Sequence, residues 1–301
     1  MLGAQCQLTY PWHRSPFLFA TFPFLFSIIS SNFITGRSHS LTPSGSGVYE
    51  PYVSHFSRSF LSTFNFQLST DLQEPTIPLA PIHPTHALIF ANGDVNDGEL
   101  VRRALAGAGD GALLVAADGG ARVARHFGLD VHTVIGDMDS ISAEDLAQLE
   151  QAGAQVLRYP AEKDETDLEL ALIFAAEQGA AHIRVIGAVG DRLDQTLGNL
   201  YLLALPALAG KDVRIVAGRQ EAWLLPPGGG EISGAPGDTV SLLPVNGTAH
   251  GVRTEGLHYP LRGEDLIFGP ARGVSNVMTG TTARVTIAGG LLLVIHTLGR
   301  A

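Results

Sequence analysis

The chain has a single cysteine, Cys6, so no internal disulfide, thiolate zinc cluster or paired-cysteine redox site can form within it. That fits a reducing compartment, and a cytoplasmic protein is the expectation. Charge is also sparse. Charged residues make up 16% of the sequence, and 29 acidic against 19 basic residues leave a formal charge of −10. Phosphate backbones are gripped by clustered Lys and Arg, so the balance argues against a nucleic-acid partner, although an acidic chain can still bind nucleotides through metals. The apolar run FLFATFPFLFSII at 17–29 is interrupted by Pro23 and falls short of the ~20 residues a spanning helix needs, so a membrane is not an expected partner. Two phosphate-binding signatures are missing as well. No GxxxxGK[ST] occurs, and GAGDG at 107–111 precedes an expected strand instead of following one, which disfavours a P-loop kinase and a dinucleotide-binding enzyme. The histidines after Pro84 show no i, i+4 or HxH spacing, so none is assigned to a metal.

What the sequence does contain divides into three parts. Residues 1–84 are rich in Phe and Ser and carry only Arg14, Arg37, Glu50, Arg58, Asp71 and Glu74 as charges; a disordered extension or translated upstream sequence with a misplaced start is expected there, with a targeting or anchoring segment as the alternative, since 17–29 has the length of a signal-peptide core. From Thr85 the composition shifts to Ala, Gly, Leu and Val, and short apolar runs alternate with helical periodicity, the pattern of a parallel sheet with crossover helices. Strands are expected at 86–91, 112–117, 133–135, 155–159 and 183–187. Helices are expected at 97–106, 120–127, 143–151, 166–178 and 196–205, the third opened by Ser142 with Asp145 as a capping pair. After about Pro206 the segments become short, β-rich and punctuated by Gly and Pro (VRIV, EAWLL, TVSLLPV, HGVRT, DLIFG, RVTIA, LLLVIH), which reads as a sandwich or small barrel. PPGGG at 226–230 is a turn-rich link near the join.

The chemistry lies in acidic clusters at the expected strand ends: Asp118, then Asp137 and Asp139, Asp164 and Asp167, and Asp191 and Asp194. In an open parallel sheet, ligands bind outside the carboxyl ends of the strands. One Asp before a helix is an ordinary N-cap, but caps account poorly for doubled Asp at a spacing of two or three. Carboxylates gathered at one rim repel one another and call for cations to offset the repulsion. Gly119, Gly120, Gly136, Gly187 and Gly190 beside them let backbone N–H groups approach a phosphate. Lys163 and Arg192, embedded in the acidic loops, suit phosphate binding; pairing with neighbouring Asp is their alternative use.

The runs ADGGA (117–121), GDMDS (136–140), KDETD (163–167), GAVGDRLDQ (187–195), GLHYPL (256–261) and GVSN (273–276), in that order, resemble thiamine pyrophosphokinases over about 85–301. The resemblance implies a Rossmann-like α/β nucleotide-binding catalytic domain at 85–208, followed by a β-sandwich thiamine-binding domain at 209–301. It implies transfer of the pyrophosphoryl group of ATP to thiamine with release of AMP, a Mg2+ requirement and a homodimer with thiamine held between subunits. Residue by residue it implies Asp137, Asp139, Asp164 and Asp167 as metal-binding and catalytic acids, with Asp194 holding a metal-bound water or assisting deprotonation of the alcohol. Lys163, Thr166, Arg192 and Gln195 are implied to contact phosphates or the acid cluster, Asp118 with Gly119 the nucleotide or its metal, and Ser275 with Asn276 the thiamine. Animal members carry a stacking Trp where this chain has Thr239; Trp223, His258 and Tyr259 are the candidate replacements. The competing expectations are an Asp-rich metal-dependent phosphoesterase, and a thiamine- or nucleotide-binding module without catalysis.

Overall fold

A computed structural model describes residues 84–300, all within one compact unit, Glu74–Ala301. The expectations for the 1–84 extension and its apolar run lie outside the described residues, Pro84 excepted.

The chain runs β1 (His86–Phe90), α1 (Glu99–Ala108), β2 (Leu113–Ala117), α2 (Ala121–His126), β3 (Thr133–Gly136), α3 (Ala143–Gln151), β4 (Gln155–Arg158), α4 (Asp167–Glu177), β5 (His182–Ile186) and α5 (Leu193–Leu202). Nine strands follow: β6 (Asp212–Ala217), β7 (Gln220–Leu225), β8 (Gly230–Ser233), β9 (Thr239–Pro244), β10 (Ala249–Glu255), β11 (Arg262–Leu266), β12 (Asn276–Val277), β13 (Thr282–Thr286) and β14 (Leu292–Thr297). Ten strands form one sheet in the order β12-β9-β14-β7-β6-β5-β1-β2-β3-β4, and four form a second in the order β11-β10-β13-β8.

β6 to β4 in that order pair in parallel. Their alternating residues separate two cores. Ala87, Ile89, Val115 and Ile135 face Leu168, Ala171, Leu172 and Ala175 of α4, whereas Leu88, Phe90, Val134 and Ile186 face Val101 of α1 and Val123 of α2. Helices therefore cover both faces, as apolar runs of a parallel sheet demand. Leu172 and Phe90 are fully buried, and each such side chain stabilises the fold by about 1.5–3 kcal/mol.

Beyond the helices the same sheet continues antiparallel through β7, β14, β9 and β12. There it becomes one layer of a sandwich: Trp223, Leu225, Leu242 and Val294 pack against Ile232, Val252, Ala283 and Val285 of the second sheet. The fold is thus a Rossmann-like parallel α/β layer followed by an antiparallel sandwich. β6 begins just after residue 208 yet pairs in parallel with β5, matching His182 to Asp212, so the hydrogen-bonded ladder runs unbroken past that point.

The strand order holds one reversal. From β1 the chain winds outward through β2, β3 and β4, then returns to place β5 on the other side of β1. Loops leaving β1 and β5 diverge there and leave a crevice at the carboxyl ends of the strands.

Candidate active site

That crevice is a cavity of about 510 Å³ lined by residues from the loops after β1, β2, β3, β4 and β5. Asp118 follows β2 in a single 3-10 turn, in left-handed backbone (φ 45), which is costly for a non-glycine residue and concentrates at functional sites. Its side chain is 4% exposed. Oδ2 accepts a hydrogen bond from Ser140 N at 3.2 Å, and the buried Oδ1 has no partner among the described residues. A buried carboxylate oxygen without a donor costs on the order of 1–3 kcal/mol or more unless a ligand or ion supplies a contact.

Gly136 ends β3 with φ 154, and a Cβ there would stand 2.9 Å from Asp167 Cγ and 3.0 Å from Asp118 Cβ. The missing side chain is what lets these carboxylates close in. Asp137 follows, its Oδ1 accepting from Asp139 N at 3.1 Å, and the intervening Met138 takes φ 66 with its side chain buried. Asp167 is the first residue of α4, whose N-cap Thr166 accepts from Glu169 N at 3.2 Å. One oxygen each of Asp118, Asp137 and Asp167 lies within 4.8 Å of the others. Lys163 Nζ reaches Asp167 Oδ1 at 3.0 Å and Asp137 Oδ2 at 3.8 Å. The first contact is one of charge, because that buried Oδ1 receives no aligned hydrogen bond.

Three carboxylates against one ammonium leave the cluster under-neutralised. Burial pushes the Asp167 carboxyl above its ordinary value; Lys163 draws it back, while Asp137 and Asp118 push it further up. Burial opposes the charge on Lys163, yet Asp167, Asp137 and Asp118 together hold its ammonium above the usual lysine value. Convergent acidic oxygens with an unpaired buried lone pair suit a hard divalent cation.

The remaining expected residues divide by position. Asp139, Thr166, Arg192 and Gln195 line the cavity; Asp139 is exposed, its Oδ1 accepting from Ser140 Oγ at 2.9 Å. Gly119 backs the site, since a Cβ there would meet the Asn92 side chain at 2.5 Å. Asp164 is exposed and does not line the cavity: β4 is the edge strand, so its loop must reach back and delivers Lys163 and Asp167 while Asp164 stays outside. Asp194 does not line it either; it is exposed and paired with Arg192 at 2.5 Å. Sequence reasoning missed Asn92, Asp94, Arg122, Thr196 and Asn199, which also line the cavity. The signal for the first three was available, because loops flanking a topological switch point form the ligand crevice, but it required the strand order.

In the sandwich, a second cavity of about 610 Å³ is lined by His258, Tyr259, Arg262, Arg272 and Asn276 among others. The Asn276 amide is engaged on both ends: Oδ1 accepts from Tyr259 N at 3.0 Å and Val277 N at 2.9 Å, and Nδ2 donates to Tyr259 O at 2.7 Å. Ser275 has φ 59 and its N donates to Ser241 Oγ at 3.0 Å. Thr239 is buried on β9, its Oγ1 donating to Gly299 O at 3.2 Å. Trp223 is 5% exposed with the Arg214 guanidinium 4.3 Å over its ring, so its ring is committed to packing. Tyr259 is 64% exposed and meets His258 edge to face at 4.6 Å.

Known proteins resemble the chain across both of its halves. The family model "Thiamin pyrophosphokinase, catalytic domain" matches residues 109–217, and "Thiamin pyrophosphokinase, vitamin B1 binding domain" matches residues 231–292. The thiamine pyrophosphokinase of Bacillus subtilis (strain 168) is 30% identical over 162 residues, 54% of this chain and 76% of that protein. The chain belongs to the thiamine pyrophosphokinase family. A thiamine pyrophosphokinase 1 of rice is 28% identical over 172 residues, 53% of this chain and 64% of that protein. The crystal structure of the Bacillus subtilis enzyme aligns with a TM-score of 0.64 at 26% identity, covering 71% of this chain and 99% of that one. The Candida albicans thiamin pyrophosphokinase, 19% identical with a TM-score of 0.61 over 72% of this chain and 90% of that chain, shares the fold. The catalytic family model thus ends where β6 ends, at Ala217.

Proposed function

We propose that the chain transfers the pyrophosphoryl group of ATP to the hydroxyethyl oxygen of thiamine and releases AMP. The observation that carries this reading is the convergence of Asp118, Asp137 and Asp167 with Lys163 at a switch-point crevice, in a chain whose family is thiamine pyrophosphokinase. The buried, partnerless Oδ1 of Asp118 fits a bound divalent cation, magnesium in this reading. Asp118, Asp137 and Asp167 would hold it, with Asp139 beside them, and when bound it supplies neutralisation of the polyphosphate charge.

The protein's own contribution is positioning and electrostatic complementarity. Lys163 and Arg192 place positive charge on the cavity wall, and Gln195 and Thr196 add neutral donors. Arg192, and then the Gln195 backbone N–H, hold the Asp194 carboxyl below its usual value. Asp194 is therefore a poor proton acceptor, and its contribution is to orient Arg192. The domain assignment follows the same reading, with the nucleotide handled by 85–208 and thiamine by 209–301. Thiamine recognition is assigned to the second cavity, where Asn276 fixes the Tyr259 segment and the exposed Tyr259 ring is available to stack.

The proposed assembly is a homodimer. An uncovered apolar face supports it: Leu197 and Tyr201 of α5 and Phe268 are exposed, beside Leu224, Leu243 and Ile295 of the sheet. No helix of the described residues is long and apolar enough to cross a membrane, and a cytoplasmic site of action is part of the proposal.

The test is AMP release from ATP and magnesium, with and without thiamine, by the chain and by its Asp167→Asn variant. AMP that depends on thiamine and vanishes in the variant supports the transfer. AMP or free phosphate formed regardless of thiamine points to a phosphoesterase instead.

A further inference from the structure

Three cations line the acidic cavity: Arg122, Lys163 and Arg192. Two are spoken for. Lys163 sits against Asp167 and Asp137, and Arg192 is paired with Asp194. Arg122, near the start of α2, differs. Its Nη2 donates to Gly93 O at 3.0 Å and to Asn92 Oδ1 at 3.4 Å, both neutral acceptors, and among the described residues it makes no ion pair with a carboxylate. In a chain of formal charge −10, an arginine left without a carboxylate on an acid-lined wall stands out. A guanidinium has five donors in a fixed fork; two neutral contacts through one nitrogen leave Nε and Nη1 for a ligand.

Its placement matches a role. Arg122 ties to the loop after β1, the strand beside the crevice, and so stands at the switch point with the loop after β5 across from it. The clustered carboxylates Asp118, Asp137 and Asp167 come instead from the β2, β3 and β4 loops. A polyphosphate that lies against the acid cluster through cations must still meet a direct counter-charge for its remaining oxygens.

We propose that Arg122 is a substrate-binding residue that takes the β- or γ-phosphate oxygens of the nucleotide by charge-assisted hydrogen bonds, and that the Asn92–Gly93 backbone and amide hold its guanidinium ready for them. This rests on the nucleotide reading given above, and the experiment separates the two. The full chain and its Arg122→Gln and Arg122→Lys variants are assayed for equilibrium binding of ATP and of AMP in the presence of magnesium, and for thiamine-dependent AMP release. Losing one charge-assisted contact to phosphate is expected to weaken ATP binding and raise its KM about tenfold or more in Arg122→Gln. AMP, which lacks the β- and γ-phosphates, is expected to bind within about twofold of the parent, and Arg122→Lys is expected to recover part of the ATP affinity by point charge alone.

A merely structural tie between α2 and the 92–93 loop predicts something else: equal losses for ATP and AMP with a lowered melting temperature, and no rescue by Lys. That outcome, or ATP affinity unchanged in Arg122→Gln, overturns the proposal. Selective loss of ATP binding in a chain that releases no thiamine-dependent AMP would leave Arg122 assigned and refute the proposed reaction instead.

Discussion

Replacing Asp118 by Asn is expected to make the metal-free protein more stable and less active at once. The carboxylate is 4% exposed, one of its oxygens has no partner, and oxygens of Asp137 and Asp167 lie within 4.8 Å. Two unit charges at that separation repel by about 3 kcal/mol at an effective dielectric of ~20. Lys163, near Asp137 and Asp167, offsets part of this. An amide keeps the oxygen that accepts from Ser140 N and carries no charge, so its repulsion with the neighbouring carboxylates is lost. A net gain of about 1–2 kcal/mol follows, and for a domain of this size that raises Tm by roughly 2–8 °C. The assay is thermal melting of parent and variant in chelator and again with magnesium. The parent is expected to gain stability on adding the ion, by mass action on the native state; the variant is expected to start higher and gain little. A variant that melts lower than the parent in chelator, or that keeps the full magnesium-induced rise, refutes the claim that Asp118 is held in repulsion for a cation.

Gly136→Ala should abolish thiamine-dependent AMP release, because its Cβ would press on Asp167 and Asp118 at 2.9 and 3.0 Å in a backbone with φ 154; wild-type turnover by this variant would show that the carboxylates need not sit so close. Buried His296 bridges Asp238 at 2.9 Å and Glu221 at 3.3 Å; Glu221 keeps Arg214 and Asp238 keeps the N–H groups of Ala235 and Gly299, so His296→Leu, which leaves Asp238 buried without its counter-charge, should cost on the order of 1–3 kcal/mol in denaturant unfolding. Asp212 is partly buried, but Arg214 and Arg184 more than offset that burial and lower its pKa from 3.8 to about 2. A depressed carboxylate contributes stability above its unfolded value that is lost as pH falls through the folded one, so unfolding free energy should drop between about pH 4 and pH 2, and Asp212→Asn should flatten that slope. Leu197→Glu with Tyr201→Glu, on the uncovered apolar face, should convert a dimer to a monomer in light scattering; a monomeric parent would refute the assembly.

The α/β half was legible because its signals are local. The strand expected at 133–135 and the helix at 143–151 agree with β3 and α3 to within a residue, and Ser142 does cap α3, accepting from Asp145 N at 3.0 Å. The helix expected at 97–106 starts two residues later, at Glu99. The sandwich was legible in kind but not in full. β8 is four residues with two glycine neighbours before it, and β12 is a two-residue strand, too short for period-two alternation to register. In the site, doubled Asp marked the loops after β3, β4 and β5. Asn92, Asp94 and Arg122 carry no such signature and join only because β5 returns to pair with β1, a fact of topology rather than composition. Exposure of Asp164 has the same origin, since which of two neighbouring acids turns inward depends on how an edge-strand loop reaches back.

That return has a consequence for the protein during its synthesis. β1 has β2 available as a partner early, but its other edge, matched residue for residue from His86↔His182 to Phe90↔Ile186, stays open until β5 has been made. A nascent chain that has passed Asp167 already carries Asp118, Asp137 and Asp167, yet it has only one wall of the crevice and an apolar strand edge exposed. Unpaired edges of this kind invite association with other chains. Codon changes within the interval between translation of residues 90 and 186 are therefore expected to affect soluble yield more than equal changes in the sandwich.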